Sequence, residues 1–341
     1  MTIAPETVEA AIRPWLGTEA VLLAVSGGPD STALMGAAAR AGSAAPLHVA
    51  TIDHGLRPHS AAEAAAVAMA ARTLGLPHRT LVWTGPKPAS GVQAAARAAR
   101  YELLAAHAGS LGAGLVLTGH TRDDQAETVL MRLLAGSGPA GLAGMRPTRD
   151  LTSSIRLGRP FLGLAKADLV DYCAARGLAF IRDPSNGDDR YARARLRRLR
   201  PDLDREGLST DRLCRLAERC GRDDAALAAW AGTVFADATT SQAGGTIRLD
   251  GTALRALPDA VLLRVASLAV TRLTATWDHS VGRERLERLE RLVLDGLVPA
   301  LRSGTPLRRT LRETLFEVTR TGDLVLTPAP TRRTPGTASQ H

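Results

Sequence analysis

Ser26-Gly27-Gly28-Pro29-Asp30-Ser31 packs two glycines, two hydroxyls and a carboxylate into six residues, directly after the apolar run Val21–Val25 and before a helical pattern beginning near Thr32. A strand, a glycine turn and a helix start bring backbone N–H groups and the positive end of a helix dipole to one point, an arrangement that cradles phosphate. It is not a Walker A loop, which requires a lysine; the only lysines are Lys87 and Lys166. The alternative is an ordinary capped turn with Ser26 or Asp30 as the N-cap. Asp53, at the head of Asp53-His54-Gly55-Leu56-Arg57, is a carboxylate placed to meet a nucleotide or metal ion, or else a turn acid. In Gly119-His120-Thr121-Arg122-Asp123-Asp124, Asp123 can cap a helix whose first turns carry Asp124 and Glu127. Those three acids either complement the helix dipole or gather Mg²⁺, an ion held by one or two carboxylates plus phosphate oxygens. His120, just ahead of them, can donate to a phosphate or to an exocyclic oxygen. Arg97 and Arg100, three residues apart and next to Tyr101, either snorkel over a sheet or neutralise triphosphate charge. Arg190, Arg193, Arg195, Arg197, Arg198 and Arg200 form a solvated basic helix or a set of contacts to nucleic-acid phosphates.

Four apolar runs, Val21–Val25, Leu47–Ile52, His78–Val82 and Gly114–Thr118, alternate with helical patterns near 31–41, 60–75, 91–108 and 123–135. That alternation predicts an α/β fold with a doubly wound parallel sheet. Ligands of such sheets bind beyond the carboxyl ends of the strands, near the switch in strand order, and the three polar turns sit at such ends. A glycine-rich loop, Gly136-Ser137-Gly138-Pro139-Ala140-Gly141, follows, then an αβ stretch closing on Asp183-Pro184-Ser185-Asn186. Helical patterns at about 210–237, 253–275 and 281–295, with a short β-like end at 315–327, predict a smaller, mainly helical α+β domain. The expected division is a catalytic domain over 1–205, a second domain over 206–327 and a disordered tail over 328–341.

The 341 residues exceed the usual single core. The formal charge of +9, nearly all arginine, favours a polyanionic partner, although an arginine-rich composition partly reflects genome base composition. Aromatics at 3% disfavour recognition dominated by base stacking. Cys173, Cys214 and Cys220 show no C-x-x-C pair, which argues against a disulfide framework or a cysteine metal site and for a reduced, cytoplasmic protein. No apolar run reaches the roughly 20 residues of a membrane span, and the start, with Glu6 and Glu9, lacks the character of a signal peptide.

Taken together, Ser26–Ser31 resembles the S-G-G-x-D-S loop of the N-type ATP pyrophosphatases, which cleave ATP between the α and β phosphates to adenylate a substrate. Asp53–Arg57, Gly119-His120 with Asp123-Asp124-Gln125-Ala126-Glu127-Thr128, Gly136-Ser137-Gly138 with Gly141-Leu142, and Asp183–Asn186 resemble the tRNA(Ile)-lysidine synthetases of that superfamily. The matches run in order over residues 26 to about 197. Two positions depart from the family pattern: Thr121 where a second histidine is usual, and Ala194 in place of asparagine in Arg193-Ala194-Arg195-Leu196-Arg197. The resemblance implies an adenine nucleotide α-hydrolase-like fold and a C-terminal tRNA-binding domain. It implies ATP and Mg²⁺ as cofactors, and as substrates L-lysine and the isoleucine tRNA bearing a CAU anticodon. The reaction would adenylate C2 of cytidine 34 and attach lysine there. Under it, Ser26, Gly27, Gly28, Pro29, Asp30, Ser31, Asp53, Arg97 and Arg100 bind nucleotide, and Asp30 and Asp124 bind metal. Asp30, His120, Asp124 and Arg193 take part in catalysis, and Asp123, Glu127, Arg195 and Arg197 bind substrate. No membrane and no obligatory protein partner is expected. The competing readings are a related tRNA thiolase and a non-catalytic nucleotide-binding protein.

Overall fold

In a computed structural model, which describes residues 3–42, 44–56, 59–85, 87–88, 90–181, 192–273, 283–311 and 313–329, Val21–Ala24 forms β1, the strand around which the first unit is organised. Leu47–Asp53 (β2), His78–Val82 (β3), Leu115–Thr118 (β4), Thr148–Asp150 (β5) and Arg156–Gly158 (β6) complete a sheet of order β3-β2-β1-β4-β6-β5. All pairs are parallel except β5 with β6. β1 is apolar along its length because it is covered on both faces. Successive side chains of a strand point to opposite sides: Leu23 packs with Leu34, Met35 and Val67, and Leu22 with Ala50, Leu104 and Val116. Leu22 and Leu23 are fully buried, each contributing about 2 kcal/mol of hydrophobic stabilisation.

The first helices are α1 (Pro5–Ile12), α2 (Pro29–Arg40), α3 (Ser60–Thr73), α4 (Val92–Ser110), α5 (Arg122–Leu134), α6 (Pro139–Leu142) and α7 (Lys166–Ala175). α2 is buried continuously from Ser31 to Ala38, which its small residues permit. The basic segment folds as α8 (Ala192–Arg205), with Ala194 and Leu196 buried between exposed arginines. Leu196 joins Ala126, Val129 and Leu130 of α5 and Leu213 and Ala217 of α9 (Thr210–Ala238) in one apolar cluster. Beside it Arg197 grips the buried carboxylate of Glu127 with two parallel bonds, Nε to Oε1 at 2.6 Å and Nη2 to Oε2 at 3.1 Å, the bidentate fit for which a guanidinium is shaped.

The chain divides into two compact units, 1–136 with 141–218, and 219–341 with 137–140. The change falls inside α9, beyond the expected boundary at 205/206. The first turns of α9 give Leu213 and Ala217 to the cluster just described, and its later turns give Ala231, Phe235 and Ala238 to the core of the second unit.

The second unit is the expected smaller, mainly helical α+β domain, and its strands extend beyond the β-like end expected at 315–327. Thr239–Ala243 (β7), Thr246–Leu249 (β8), Leu307–Leu311 (β9), Thr314–Val318 (β10) and Leu324–Pro328 (β11) form an antiparallel sheet of order β7-β8-β11-β10-β9. Helices α10 (Gly251–Arg255), α11 (Asp259–Leu273), α12 (Arg283–Leu292) and α13 (Val298–Ser303), with a π-helical turn at Val293–Leu297, accompany it. The β7–β8 hairpin turns on Gly244 and Gly245, both with positive φ, as a two-residue hairpin loop of mirror-image type requires. Residues 330–341 of the expected tail lie outside the described residues.

Replacing Arg197 by Met leaves Glu127 buried without its counter-charge and is expected to cost about 2–4 kcal/mol of unfolding free energy in denaturant titration, tempered by the partial exposure of the guanidinium. The double variant Glu127→Leu/Arg197→Met is expected to recover at least half of that loss; equal losses would mean that the pair does not join α5 to α8.

Candidate active site at the switch between the first and fourth strands

The strand order reverses between β1 and β4, and the turns that follow these two strands meet there. Gly27, buried and at φ +87°, makes the first turn: a Cβ at this position would stand 2.7 Å from Ile181 Cδ1 and 3.1 Å from Val67 Cγ2. The Gly27 carbonyl accepts from the Ile181 N–H (2.8 Å) and from Thr32 Oγ1 (3.3 Å). Ser31 Oγ accepts from the Ser26 N–H (3.1 Å) and donates to the Gly28 carbonyl (3.0 Å). Neither Ser26 nor Asp30 is the N-cap of α2: Gly28 holds that place, with no side-chain cap, and Pro29 begins the helix. The hydroxyls are spent on shaping the loop, so the first N–H groups of α2 have no side-chain partner, and the space where a Gly28 Cβ would stand is open. An uncapped helix start beside open space can receive an anion.

The turn after β4 touches this loop through backbone. A Cβ on Gly119 would lie 2.6 Å from the Asp30 carbonyl oxygen and 3.1 Å from the Ser31 nitrogen. Thr121, 1% exposed, is the N-cap of α5: its Oγ1 accepts from the Asp124 N–H (3.3 Å), while Asp124 Oδ2 accepts from the Thr121 N–H (2.9 Å). Asp123, expected as the cap, instead accepts the Lys166 N–H at Oδ2 (2.8 Å). The departure from the family's histidine at this position is thus a capping residue that orients Asp124.

Asp30 lies at the centre of this acidic group. Lys166 Nζ stands 2.6 Å from its Oδ2, and its Oδ1 is buried without a hydrogen-bond partner. Burial pushes the Asp30 carboxyl above the usual carboxylate range; the hydrogen bond from Lys166 opposes this, and Asp124 and Asp123 add to it. Asp53, at the carboxyl end of β2, accepts the Gly55 N–H at 2.8 Å. Hydrogen bonds from the Ser60 side chain and that amide hold its carboxyl below the usual range. Asp53 therefore anchors its own turn while standing at the mouth of the sheet.

His120 follows β4 on the other side. Thr118 Oγ1 donates to the Gly158 carbonyl (3.3 Å), which assigns the 2.8 Å contact with His120 as an Nδ1–H donating to Thr118 and leaves the Nε2 lone pair unused. Burial lowers the ring's pKa to about 4, with Asp124 opposing and Arg159, Arg97 and Arg193 reinforcing the shift; the ring is neutral at pH 7. Two cations stand over the Tyr101 ring, Arg97 at 5.1 Å and Arg149 at 4.5 Å from its centroid. Arg100 extends to His54 Nε2 at 3.3 Å.

The structure thus brings Ser26–Ser31, Asp123 and Asp124 together, with Asp53, His120, Arg97 and Arg100 at the same edge of the sheet. Glu127 and Arg197 pair with each other, and Arg193 and Arg195 are exposed on α8. Arg57, Asp183–Asn186 and Arg190 lie outside the described residues. Residues that sequence reasoning passed over also organise the site. Gln125 clamps Met145 through both backbone groups (2.9 and 2.7 Å), Arg132 donates to the carbonyls of Gly141 and Gly144 (2.6 and 2.8 Å), and Lys166 reaches Asp30. The one sequence signal for Lys166 is the scarcity of lysine.

The PP-loop domain family matches residues 3–203. A tRNA(Ile)-lysidine synthase of Methylobacterium sp. (strain 4-46) is 53% identical over 334 residues, 96% of each chain. One of Methylobacterium nodulans is 54% identical over 323 residues, 94% of each, and one of Bradyrhizobium sp. (strain BTAi1) is 43% identical over 354, covering 98% of this chain and 97% of its own. Among solved structures, the U34-tRNA thiolase NcsA of Methanococcus maripaludis with its [4Fe-4S] cluster aligns with a TM-score of 0.54 at 14% identity, over 64% of this chain and 79% of that one; this likeness bears on the fold alone. With its parallel sheet, its glycine loop at the switch point and near full-length relatives of one kind, the chain belongs to the tRNA(Ile)-lysidine synthases of the PP-loop family.

Proposed function

We propose that this chain uses ATP to adenylate C2 of cytidine 34 in the CAU anticodon of tRNA(Ile), and that the ε-amine of free L-lysine then displaces AMP to give lysidine. The observation that carries this reading is the uncapped start of α2 beside Asp30 at the β1–β4 switch. In the first step the C2 carbonyl oxygen bonds to the α-phosphorus, and pyrophosphate leaves with the electron pair of the broken P–O bond. The N–H groups of the Ser26–Ser31 turn then receive the departing charge, preorganised as a transition-state donor set must be. Arg97 and Arg100 add positive charge, and Asp53 stands toward the nucleoside.

Mg²⁺ fits the residues present: the buried Asp30 Oδ1 lacks a partner and Asp124 lies close enough to act on Asp30, while phosphates supply the remaining oxygens. When bound there, Mg²⁺ would offset phosphate charge and orient the chain of phosphates. His120, neutral and with a free Nε2, faces the base, and Arg193 serves as a cation for the transition state. Asp123 and Glu127 supply negative charge for the cationic lysine, and Arg195 and Arg197 positive charge toward the substrates. A thiolase reading fits less well. Burial raises the Cys173 thiol to about 12 and the Cys214 thiol to about 11, whereas sulfur transfer needs an accessible thiolate. The cytoplasm is the compartment where tRNA and lysine meet such an enzyme; among the described residues no helix is long and apolar enough to cross a membrane.

Purified protein incubated with Mg·ATP, labelled lysine and unmodified tRNA bearing CAU is expected to place label in that RNA and not in a U34 control; ATP hydrolysis without lysine incorporation would overturn the assignment. Asp30→Ala is expected to abolish pyrophosphate release with tRNA affinity nearly unchanged, and a matching loss of tRNA binding would remove Asp30 from the nucleotide step. His120 titrates at about 4 when folded and near 6.5 when unfolded, so below pH 6.5 the unfolded chain takes up the extra proton. Stability from this ring is therefore complete above pH 6.5 and lost as pH falls toward 4, by up to about 3 kcal/mol. His120→Gln is expected to flatten the pH dependence of the urea midpoint in that window; an unchanged slope would contradict the neutral, buried ring.

A further inference from the structure

Two of the 43 basic residues of this chain are lysines, and one of them occupies the nucleotide site. Lys166 is the first residue of α7, where a positive charge opposes the helix dipole, so helix stability does not account for it. Its backbone N–H is tied to Asp123 Oδ2 at 2.8 Å, fixing the start of α7 to the acidic turn after β4. Its ammonium crosses to Asp30 Oδ2 at 2.6 Å, with side-chain exposures of 48% for Lys166 and 19% for Asp30. The other Asp30 oxygen is buried and has no hydrogen-bond partner.

The contrast with Glu127 is informative. There the chain joins two helices with an arginine that occupies both carboxylate oxygens. At Asp30 it uses a compact point charge on a flexible four-carbon stem, which engages one oxygen and remains half open to solvent. The first pair is built as a strut and the second as an exchangeable contact.

We propose that Lys166 is a catalytic residue of the adenylation step: its ammonium neutralises Asp30 while the nucleotide is absent and transfers to oxygens of the β- and γ-phosphates when Asp30 engages Mg²⁺. This rests on the adenylation reading above. In that step the bond from the C2 oxygen to the α-phosphorus forms and the bond from the α-phosphorus to the bridging oxygen breaks, its electron pair leaving with pyrophosphate. Lys166 stays protonated throughout and offsets the growing negative charge.

The scarcity of lysine makes a test on the unaltered protein possible. With the uncleavable analogue α,β-methylene-ATP and Mg²⁺, binding being verified by calorimetry, the rate at which an amine-reactive label modifies Lys166 is expected to fall relative to that of Lys87. Unchanged relative reactivity with the analogue bound would overturn the proposal. In Lys166→Met, Mg²⁺ is expected to bind the protein–analogue complex more tightly because its competitor for Asp30 is gone, while pyrophosphate release falls about 100-fold with KM for tRNA within about twofold. Lys166→Arg, which keeps the charge, is expected to recover part of the rate. Weaker Mg²⁺ binding together with a lower Tm and an unchanged rate would make Lys166 a strut and overturn its catalytic role. If the wild type binds the analogue yet releases no pyrophosphate from ATP and tRNA, the adenylation reading itself fails.

Discussion

The contact on which the site depends is backbone against backbone: Gly119, directly after β4, lies against the carbonyl of Asp30 at the start of α2, with no room for a side chain between them. Parallel sheets place their strand ends at one edge, but a switch in strand order leaves a gap there. This contact sets the width of that gap. It brings a helix start that seeks negative charge within reach of a turn that carries it, Asp123 and Asp124. The close approach explains why the acids can raise the Asp30 carboxyl despite belonging to another strand's turn.

Much of the acidic block after β4 secures geometry before it does chemistry. Thr121 and Asp124 cap α5, Gln125 and Arg132 hold the loop from Gly141 to Met145, and Glu127 fastens α8. Each carboxylate so committed is oriented to within a hydrogen bond, and rigid support of this kind separates a working site from a loose one. Asp30 is the exception, with one oxygen unsatisfied.

How much of this was legible in the sequence follows from the range of the interactions involved. β1 to β4 and their helices were readable within a few residues, because apolar runs buried on both faces alternate with helical periodicity. The glycine loop was readable for the same local reason. Of the second sheet, β10 and β11 fall in the β-like end expected at 315–327, whereas β7, largely exposed and polar, and β9, an edge strand carrying Arg308 and Arg309, gave too little apolar pattern to be read. Only the Gly244-Gly245 pair marked the hairpin. Within the site, Asp123 was read as the cap where Thr121 serves, a shift of two residues that local pattern cannot resolve. Lys166 and Asp30 are 136 residues apart, and nothing in either neighbourhood announces the other. Glu127 and Arg197 each looked like a free charge until the fold set them face to face.

The gathering of Arg97 and Arg149 over the Tyr101 ring has a consequence for ionic conditions. Two guanidinium groups share one ring, and among the described residues neither has a carboxylate partner. Guanidinium groups gathered in this way attract small anions from solution. A polyanion that settles on this face returns those ions to bulk water, an entropic gain that shrinks as salt rises. Arg97 and Arg149, gathered on a ring that itself carries no charge, thus make the affinity for such a ligand a function of the surrounding electrolyte.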